Sequence, residues 1–243
     1  MLNLNKLEQL NDYIDAAKQI VFFGGAGVST ESGIPDFRSA NGIFHERTSY
    51  PPEQILSHSF FHHHPELFFQ FYRAHLLTLE AKPNPAHLSL AKLEQLGKLS
   101  TVVTQNIDGL HQRAGSKSVI ELHGTIHNNY CLNCHQWYTA SFVKQNSAIP
   151  YCDCGGIIKP DVVLYEEPLN EQAINGAIQS ISQADLLIVG GTSLSVYPAA
   201  GLIQYFQGTH LVVINKTNLP NHQADLVLND AIGQVFESLL SDF

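Results

Sequence analysis

Residues 20–27 have the sequence IVFFGGAG, in which a short apolar stretch runs directly into glycines. Consecutive apolar residues with β-branched and aromatic side chains are typical of a strand that is buried on both faces. A glycine turn after such a strand lets backbone N–H groups approach a phosphate closely, but it also serves tight packing. The stretch predicts a strand, a turn and a following helix, and it leaves the purpose of the turn open.

Similar apolar stretches recur along the chain and alternate with segments of helical periodicity. The apolar stretches are residues 102–103, 119–120, 186–189 and 211–214. The periodic segments are residues 7–17, 90–96 and 173–181. Short buried strands that alternate with helices indicate a parallel sheet covered on both faces. The sequence therefore predicts an α/β fold with a Rossmann-like parallel sheet as its core.

The four cysteines form two close pairs, Cys131-x-x-Cys134 and Cys152-x-Cys154. Two such pairs can supply four thiolates to a tetrahedral zinc ion, which leaves no ligand position for a substrate. We therefore predict one structural zinc ion, against the alternative of four unrelated buried thiols. The second pair has one intervening residue where two are usual, so its loop must be tighter, and His135 is a substitute ligand to consider.

Two segments interrupt the alternation of strands and helices. Residues 39–75 are rich in aromatic residues and histidine and are predicted to be a helical insert of a small domain. Residues 128–160 hold the cysteines and are predicted to be a smaller zinc-binding module. The Rossmann-like domain is then expected to comprise residues 1–38, 76–127 and 161–243.

Histidines and aromatic residues are concentrated in the helical insert. The run His62–His64 is predicted to be a solvated loop, because adjacent side chains point in different directions and rarely share one ion. The aromatic residues near it are predicted to pack in a core rather than to bind a ligand. They are Phe60, Phe61, Phe68, Phe69, Phe71 and Tyr72.

The composition excludes several classes of protein. The chain has 243 residues, of which 44% are hydrophobic and 14% charged, so it can form a large core and is too apolar for disorder. Its formal net charge of −9 argues against direct binding of nucleic acid through phosphate neutralisation. No apolar stretch approaches the roughly 20 residues of a membrane helix, and the N-terminal residues lack the pattern of a secretory signal. We expect a cytoplasmic protein without a membrane partner.

Polar residues follow two of the predicted strands. Residues 104–109 have the sequence TQNIDG, and residues 121–124 have the sequence ELHG. Parallel α/β sheets bind ligands at the carboxyl ends of their strands, where such side chains can orient a ribose and move a proton. Asn and Asp also favour ordinary turns, so these residues alone do not decide between a site and a turn.

Taken together, these segments resemble the sirtuin family of NAD-dependent protein lysine deacylases, in its bacterial type. The match covers nearly the whole chain in order. It comprises residues 25–29, 32–38, 104–108, 123–124, the two cysteine pairs, residues 191–194 and residues 213–215. The stretch GAGVSTESGIPDFR at residues 25–38 is its most specific part. The resemblance implies an NAD-binding Rossmann-like domain, a zinc module with a helical part, and an active cleft between them.

The resemblance also implies a reaction and its partners. NAD loses nicotinamide, the acyl oxygen of a modified lysine attacks the ribose, and the products are free lysine, nicotinamide and O-acetyl-ADP-ribose. The implied partners are acylated lysine-containing proteins or peptides, and a monomer is expected. The alternatives are a deacylase that prefers another acyl group, a mono-ADP-ribosyltransferase, and a non-catalytic zinc-ribbon interaction module.

Site residues are carried over from the family by position. His123 matches the general base, and Asn106 and Asp108 complete the catalytic set. Val162, Val163 and Leu164 match the segment that binds the substrate peptide. The positions that match NAD-binding residues are Gly25, Ala26, Gly27, Ser29, Thr30, Asp36, Phe37, Arg38, Gln105, Asn106, Ile107, Asp108, His123, Gly191, Thr192, Ser193, Asn215, Lys216 and Ala231.

Three departures from the family pattern concern the substrate side. Lys159 stands where Arg is common, and residues 165–167, Tyr-Glu-Glu, replace the frequent Phe-Gly-Glu. Members that prefer acidic acyl groups carry Tyr and Arg three residues apart, whereas here Tyr72 is followed at that spacing by His75. We therefore predict deacetylation first and leave another acyl preference open.

Overall fold

The computed structural model describes residues 2–39, 42–45, 48–217 and 223–240. The predicted domain ranges also include residues 1, 40–41, 46–47, 218–222 and 241–243, which lie outside the described residues. The strands are β1 (Ile20–Gly24), β2 (Leu99–Thr104), β3 (Val119–Glu121), β4 (Gly124–Cys131), β5 (Trp137–Thr139), β6 (Ile158–Val162), β7 (Leu186–Gly190), β8 (His210–Ile214) and β9 (Leu226–Leu228).

The α-helices connect these strands or form the insert. They are α1 (Leu4–Ala16), α2 (Pro52–Ile55), α3 (His58–His63), α4 (Pro65–His75), α5 (Pro85–Gln95), α6 (Leu110–Ala114), α7 (Ala140–Gln145), α8 (Glu171–Gln183) and α9 (Ile232–Leu240). Short 3-10 helices span Ala26–Val28, Thr30–Ser32, Ile43–His45 and Ala199–Tyr205. No helix in the described part of the chain is long and apolar enough to cross a bilayer.

Six parallel strands form the central sheet in the order β3-β2-β1-β7-β8-β9. Every residue of β1 and β7 is buried, because helices cover both faces. One face packs on α1, α5 and α9, and the other packs on α8 and the 3-10 helix at Ala199–Tyr205. The predicted Rossmann-like parallel core is thereby confirmed. Strand order reverses between β1 and β7, and ligands of such sheets bind at that point.

The segment after β1 differs from the helix predicted there. It forms two 3-10 turns, Ala26–Val28 and Thr30–Ser32, and ends at Gly33, whose φ is 82°. The side chains in this segment bond elsewhere: Thr30 Oγ1 donates to the Gly27 carbonyl at 3.0 Å, and Ser29 bonds to a distant residue described below. Such side-chain bonds compete with helical ones, and the left-handed glycine ends the segment.

A second lobe contains the small antiparallel sheet, ordered β5-β4-β6, and the helices α2 to α4 and α7. Both segments that interrupt the strand–helix alternation contribute to a single hydrophobic cluster, in which helical aromatic residues pack with Cys131, Cys152 and Ile158. The predicted packing role of the aromatic residues is confirmed. They are Phe60, Phe61, Phe68, Phe69, Phe71 and Tyr72, all of them buried.

The histidine run was predicted to be a loop, and this was wrong in part. His62 and His63 are exposed, as expected for solvated residues, but they form the last turn of α3. The Ser57 side chain caps this helix by accepting from Phe60 N at 3.1 Å. The helix ends at His63, because the proline after His64 disfavours a helical conformation at His64.

Candidate active site

A cleft of about 900 Å³ lies between the carboxyl edge of the central sheet and the second lobe. Nearly all predicted site residues line it. They are Ala26, Gly27, Ser29, Thr30, Asp36, Phe37, Arg38, Gln105, Asn106, Ile107, Asp108, His123, Val162, Val163, Leu164, Gly191, Thr192, Ser193, Asn215 and Lys216. Gly25 and Ala231 are not among the lining residues, although Asp230 and Ile232 beside Ala231 are.

The loops after β1 and β7 cross in direct contact at the point where strand order reverses. Gly27 N donates to the Gly191 carbonyl at 2.7 Å, and Gly25 N donates to the Gly190 carbonyl at 3.2 Å. A Cβ on Gly27 would lie 2.8 Å from Gly191 Cα, which is too close for any side chain. The glycines therefore serve packing at the crossing, while Gly27 and Gly191 also line the cleft.

Buried polar residues connect the ends of β1 and β2. Ser29 Oγ donates to Asp108 Oδ2 at 2.6 Å and accepts from Asn106 Nδ2 at 3.1 Å. Asp108 Oδ1 accepts from Leu110 N at 2.9 Å. Burial raises the pKa of Asp108, and the bonds from Ser29 and Leu110 oppose that rise. Asp108 thus orients Ser29 and, through it, the Asn106 amide at the cleft wall.

His123 lies just beyond β3 with one ring nitrogen held by the backbone. Nδ1 is 2.8 Å from the Gln105 carbonyl oxygen, and because that oxygen can only accept, Nδ1 carries the proton. Burial lowers the pKa of His123 below its ordinary value, and the bond to Gln105 opposes this only in part. The ring is therefore neutral at pH 7, with Nε2 as its basic atom.

Side-chain hydrogen bonds also restrain the loops that follow β2, β7 and β8. Gln105 Nε2 donates to Thr192 Oγ1 at 3.1 Å and so links the ends of β2 and β7. Asn215 Nδ2 donates to the Thr217 carbonyl at 2.9 Å beyond β8. These contacts restrain polar side chains along the whole carboxyl edge of the sheet.

Residues 36–39 and Ile43 line the rim of the cleft beyond the 3-10 turns. Asp36 Oδ1 accepts from Arg38 N at 3.0 Å and from Ser39 N at 2.7 Å. The Phe37 and Phe44 rings lie 5.3 Å apart, and the Arg38 guanidinium lies 5.1 Å from the centre of the Phe44 ring. A cation and an aromatic side chain are thus both presented at the cleft.

The predicted peptide segment connects the small sheet to the carboxyl edge of the central sheet. Val162 ends β6, and Val163 N donates to the His123 carbonyl at 2.9 Å. Val162 and Leu164 are buried, whereas Val163 is partly exposed. The segment therefore lies directly beside the histidine that the sequence predicts as base.

The four cysteines form a compact cluster at the tip of the small sheet. Their sulfur atoms all lie within 4.8 Å of one another, and all four thiols are free. Cys131 Sγ is 3.4 Å from Cys154 Sγ, and Cys134 Sγ is 3.5 Å from Cys152 Sγ. Four sulfurs at about 2.3 Å from a tetrahedral zinc lie about 3.8 Å apart, so this donor set suits zinc.

Tight turns bring the two cysteine pairs together. The short Cys-x-Cys loop closes through Cys152 N donating to the Gly156 carbonyl at 2.8 Å. Gly155 in that loop has a φ of 83°, a conformation that glycine adopts without strain. His135 is outside the cluster found in the described residues, so the substitute ligand considered above is not brought to it.

Comparison with known proteins identifies the family of this chain. A family model described as the Sir2 family matches residues 25–198. The chain belongs to the Sir2 family. The NAD-dependent protein deacetylase of Clostridium perfringens (strain 13 / Type A) is 58% identical over 241 residues, which are 97% of this chain and 99% of that relative.

Solved Sir2 structures resemble this member of the family throughout. One with a deacetylated p53 peptide and 3′-O-acetyl ADP-ribose has a TM-score of 0.90 at 40% identity and covers 97% of this chain and 98% of its own. One described as Sir2, p53 peptide and NAD+ has a TM-score of 0.86 at 40% identity, with coverages of 97% and 98%. The fold of this Sir2-family chain therefore agrees with theirs over almost its full length.

Sequence reasoning missed two residues that support the glycine loop of this Sir2-family site. Asn84 Nδ2 donates to the Val28 carbonyl at 2.7 Å and to Ser32 Oγ at 3.0 Å. Glu31 Oε2 accepts from Gly233 N at 2.6 Å in the first turn of α9. An Asn before a Pro signals a helix start, which could have located Asn84 as a cap but not its contact with the loop.

Proposed function

We propose that this chain is an NAD-dependent protein lysine deacetylase, which transfers the acetyl group of a modified lysine to ADP-ribose and releases nicotinamide. The name and 58% identity of the relative support this activity. The observation that carries it is a neutral histidine, fixed by the Gln105 carbonyl, in a cleft at the switch point of a Rossmann-like sheet. The bound states named for the two solved Sir2 structures agree with this reaction.

The cleft suits NAD in size and in its donors. Its volume of about 900 Å³ falls within the range of sites for large cofactors. Crossing glycine loops bring backbone close to a bound pyrophosphate, and Arg38 supplies a cation. Gln105, Asn106 and Asp108 are assigned to the ribose and nicotinamide side, and Asn215 and Lys216 to the adenosine side. When bound, NAD supplies the ribose carbon that is attacked and the hydroxyl that accepts the acetyl group.

His123 is assigned the role of general base. Its Nδ1 proton is committed to the Gln105 carbonyl, so Nε2 is the atom that takes a proton from a ribose hydroxyl. Because its pKa is lowered by burial, the ring remains a base below pH 6.5. Asp108 and Ser29 hold the Asn106 amide in place beside it.

The substrate is assigned to the segment Val162–Leu164. An extended peptide that adds a strand there gains affinity from backbone hydrogen bonds with little dependence on its sequence. The apolar Val162 and Leu164 side chains suit the alkyl stem of the modified lysine.

Zinc, domain organisation and cellular context complete the proposal. Cys131, Cys134, Cys152 and Cys154 would hold one zinc ion that stabilises the second lobe and takes no part in the chemistry.

We retain the domain ranges predicted from the sequence, a cytoplasmic location and a monomeric state. The net charge of −9 favours basic peptides over nucleic acid as partners.

The test is incubation of the purified protein with NAD and an acetyl-lysine peptide, followed by mass spectrometry of the products. We expect nicotinamide, the unmodified peptide and O-acetyl-ADP-ribose. An ADP-ribosylated side chain would indicate transferase activity instead. Faster turnover of a succinyl-lysine peptide would reverse the predicted acyl preference.

The variant His123→Ala tests the assignment of the general base. Removing the base is expected to lower turnover at least about 100-fold, the range typical of general base catalysis, while thermal unfolding and zinc content stay near wild type. Wild-type turnover in this variant would refute the assignment of the base.

A further inference from the structure

A buried ion pair lies beside the predicted peptide segment. Lys159 Nζ is 3.1 Å from Glu167 Oε2, and the two side chains are 6% and 18% exposed. Buried charges of this kind are costly unless each is also hydrogen-bonded to other groups. The other hydrogen bonds of Lys159 and Glu167 therefore indicate the role of the ion pair.

Both members of the pair bond to the backbone of the peptide segment. Lys159 Nζ donates to the Val162 carbonyl at 2.9 Å. Glu167 Oε2 accepts from Leu164 N at 2.9 Å. The pair thus holds the carbonyl of the first residue and the amide of the last residue of the segment.

His58 extends this arrangement to helix α3. Its Nδ1 lies 2.9 Å from Glu167 Oε1, so the second carboxylate oxygen is also occupied. The backbone makes the same connection, because His58 N donates to the Tyr165 carbonyl at 2.9 Å and Tyr165 N donates to the Leu56 carbonyl at 3.0 Å. The end of the segment is thereby fixed to the second lobe.

Glu166, two residues after the segment, also attaches the chain to helix α3. It has a φ of 75°, which is unusual for a residue with a side chain. Its Oε2 accepts from Ser59 N at 2.8 Å and from Ser59 Oγ at 2.6 Å in the first turn of α3. These two bonds offset the strained backbone and explain how Glu replaces the glycine that is frequent at this position.

Among the residues that the structure describes, these contacts leave one backbone carbonyl of the segment without a donor. The Val162 carbonyl accepts from Lys159, and the Leu164 carbonyl accepts from Glu167 N at 3.0 Å. Val163 N is bonded to the His123 carbonyl, and no donor among the described residues reaches the Val163 carbonyl. A peptide N–H therefore finds its acceptor at Val163, next to the base.

We propose that Lys159, Glu167 and His58 are positioning residues that hold segment 162–164 in the conformation that binds the acyl-lysine peptide. This inference rests on the proposed deacetylase function. Within the described part of the chain, the side-chain hydrogen bonds of the three residues run to one another, to the Val162–Leu164 backbone and to the Pro160 carbonyl, and none runs to residues assigned to NAD. They therefore govern the KM for peptide and not the KM for NAD.

The experiment measures kcat and both KM values for the full-length protein and its variants with an acetyl-lysine peptide. Lys159→Met and Glu167→Gln are expected to raise the peptide KM about tenfold, the effect of one lost charge-assisted bond. Lys159→Arg retains a charged donor and should stay within about threefold of wild type. In all variants the KM for NAD and kcat are expected to change by less than about twofold, since the NAD side is untouched.

The matched control is Glu94→Gln. Glu94 also accepts from backbone amides, at 2.9 Å from Lys117 and 2.8 Å from Ser118, but it does not line the cleft. Its peptide KM should equal that of wild type. A merely structural role for the ion pair would lower kcat through fewer folded molecules and leave the peptide KM unchanged, which would overturn the proposal.

Two further measurements keep the test decisive. If the variants of Lys159 and Glu167 do not fold, His58→Ala replaces them, because the His58 side chain is 49% exposed, and an unchanged peptide KM in that variant overturns the proposal. If wild type does not turn over the peptide, the proposed function fails on its own. Titration of the same peptide against wild type and His58→Ala then decides, and equal affinities overturn the positioning role.

Discussion

Burial sets the charge state of individual residues around the cleft. It raises the pKa of Glu121 to about 7, with Asp108 and Asp161 adding to the rise and a bond from Gln112 opposing it. The same effect acts in the opposite direction on His123, whose pKa is lowered. His123 is thus neutral at a pH where a solvated imidazole is partly protonated. Turnover should accordingly persist below pH 6.5 until His123 becomes protonated.

A pair of buried histidines predicts loss of stability in acid. The His87 and His111 rings lie 4.7 Å apart, and burial lowers their pKa values to about 4 and about 3. Both are neutral in the folded protein but bind protons below about pH 6.5 when unfolded. The free energy of unfolding should therefore fall as the pH drops from 6.5 towards 4, by up to about 2.7 kcal/mol per pH unit for two protons.

Urea denaturation of wild type and His111→Phe between pH 7 and pH 5 measures this dependence. The variant retains only the His87 imidazole of the pair. Its free energy of unfolding should therefore depend on pH with a slope that is smaller by about one proton. Identical slopes would mean that His111 does not bind its proton on unfolding, contrary to its burial.

At the scale of elements, the glycine loop depends on helices that begin beside it. Asn84 caps α5 through Oδ1, which accepts from Ala86 N at 2.9 Å, while its amide group holds the Val28 carbonyl. The Glu31 carboxylate accepts a hydrogen bond from the backbone amide of Gly233 in the first turn of α9. These contacts with neighbouring helices, together with the loop's own 3-10 hydrogen bonds, fix its shape.

Asn84→Ala should therefore affect stability and NAD binding together. The variant loses a helix cap and leaves a buried carbonyl without its donor, which together cost about 2–4 kcal/mol of unfolding free energy. The KM for NAD should rise because the loop loosens. Asn170→Ala is the control, since Asn170 caps α8 at 3.1 Å from Ala173 N and makes no contact with the loop. It should cost about 1 kcal/mol and leave the KM for NAD unchanged.

Element types were predictable where periodicity is strong and burial is complete. Residues 20–23 and 186–189 are apolar throughout and form central strands, and residues 173–181 lie within α8. The two 3-10 turns after β1 were not predictable, because Ser29 forms its bond to Asp108 only when β1 and β2 are adjacent. The helical turn at His62 and His63 depends likewise on the burial of Phe60 and Phe61.

At the scale of the whole molecule, the cysteine cluster and the helical insert share one hydrophobic core. Cys131 and Cys152 pack in the same cluster as Phe61 and Phe68. The segment that we propose binds the substrate leaves this lobe at Val162. Zinc bound by the cysteines would therefore support the wall of the cleft from a distance.

Cys131→Ser should release zinc, lower the unfolding temperature and reduce turnover through loss of the second lobe, because a closed thiolate site contributes folding free energy directly. Metal analysis and thermal unfolding measure the first two effects. The control is Asp153→Asn, in the loop between Cys152 and Cys154, which keeps all four thiolates and should behave as wild type. A metal-free protein that folds and turns over peptide normally would make the site dispensable.

The strand–helix alternation, the two cysteine pairs and the motif of residues 25–38 could be predicted, since they depend on residue type and spacing along the chain. Which atoms come into contact follows only from the folded arrangement of the elements. The tautomer of His123 depends on a carbonyl of Gln105, and the amide of Val163 is bonded to the carbonyl of His123. Such contacts join residues on different strands and loops, and their distances follow from packing rather than from local pattern.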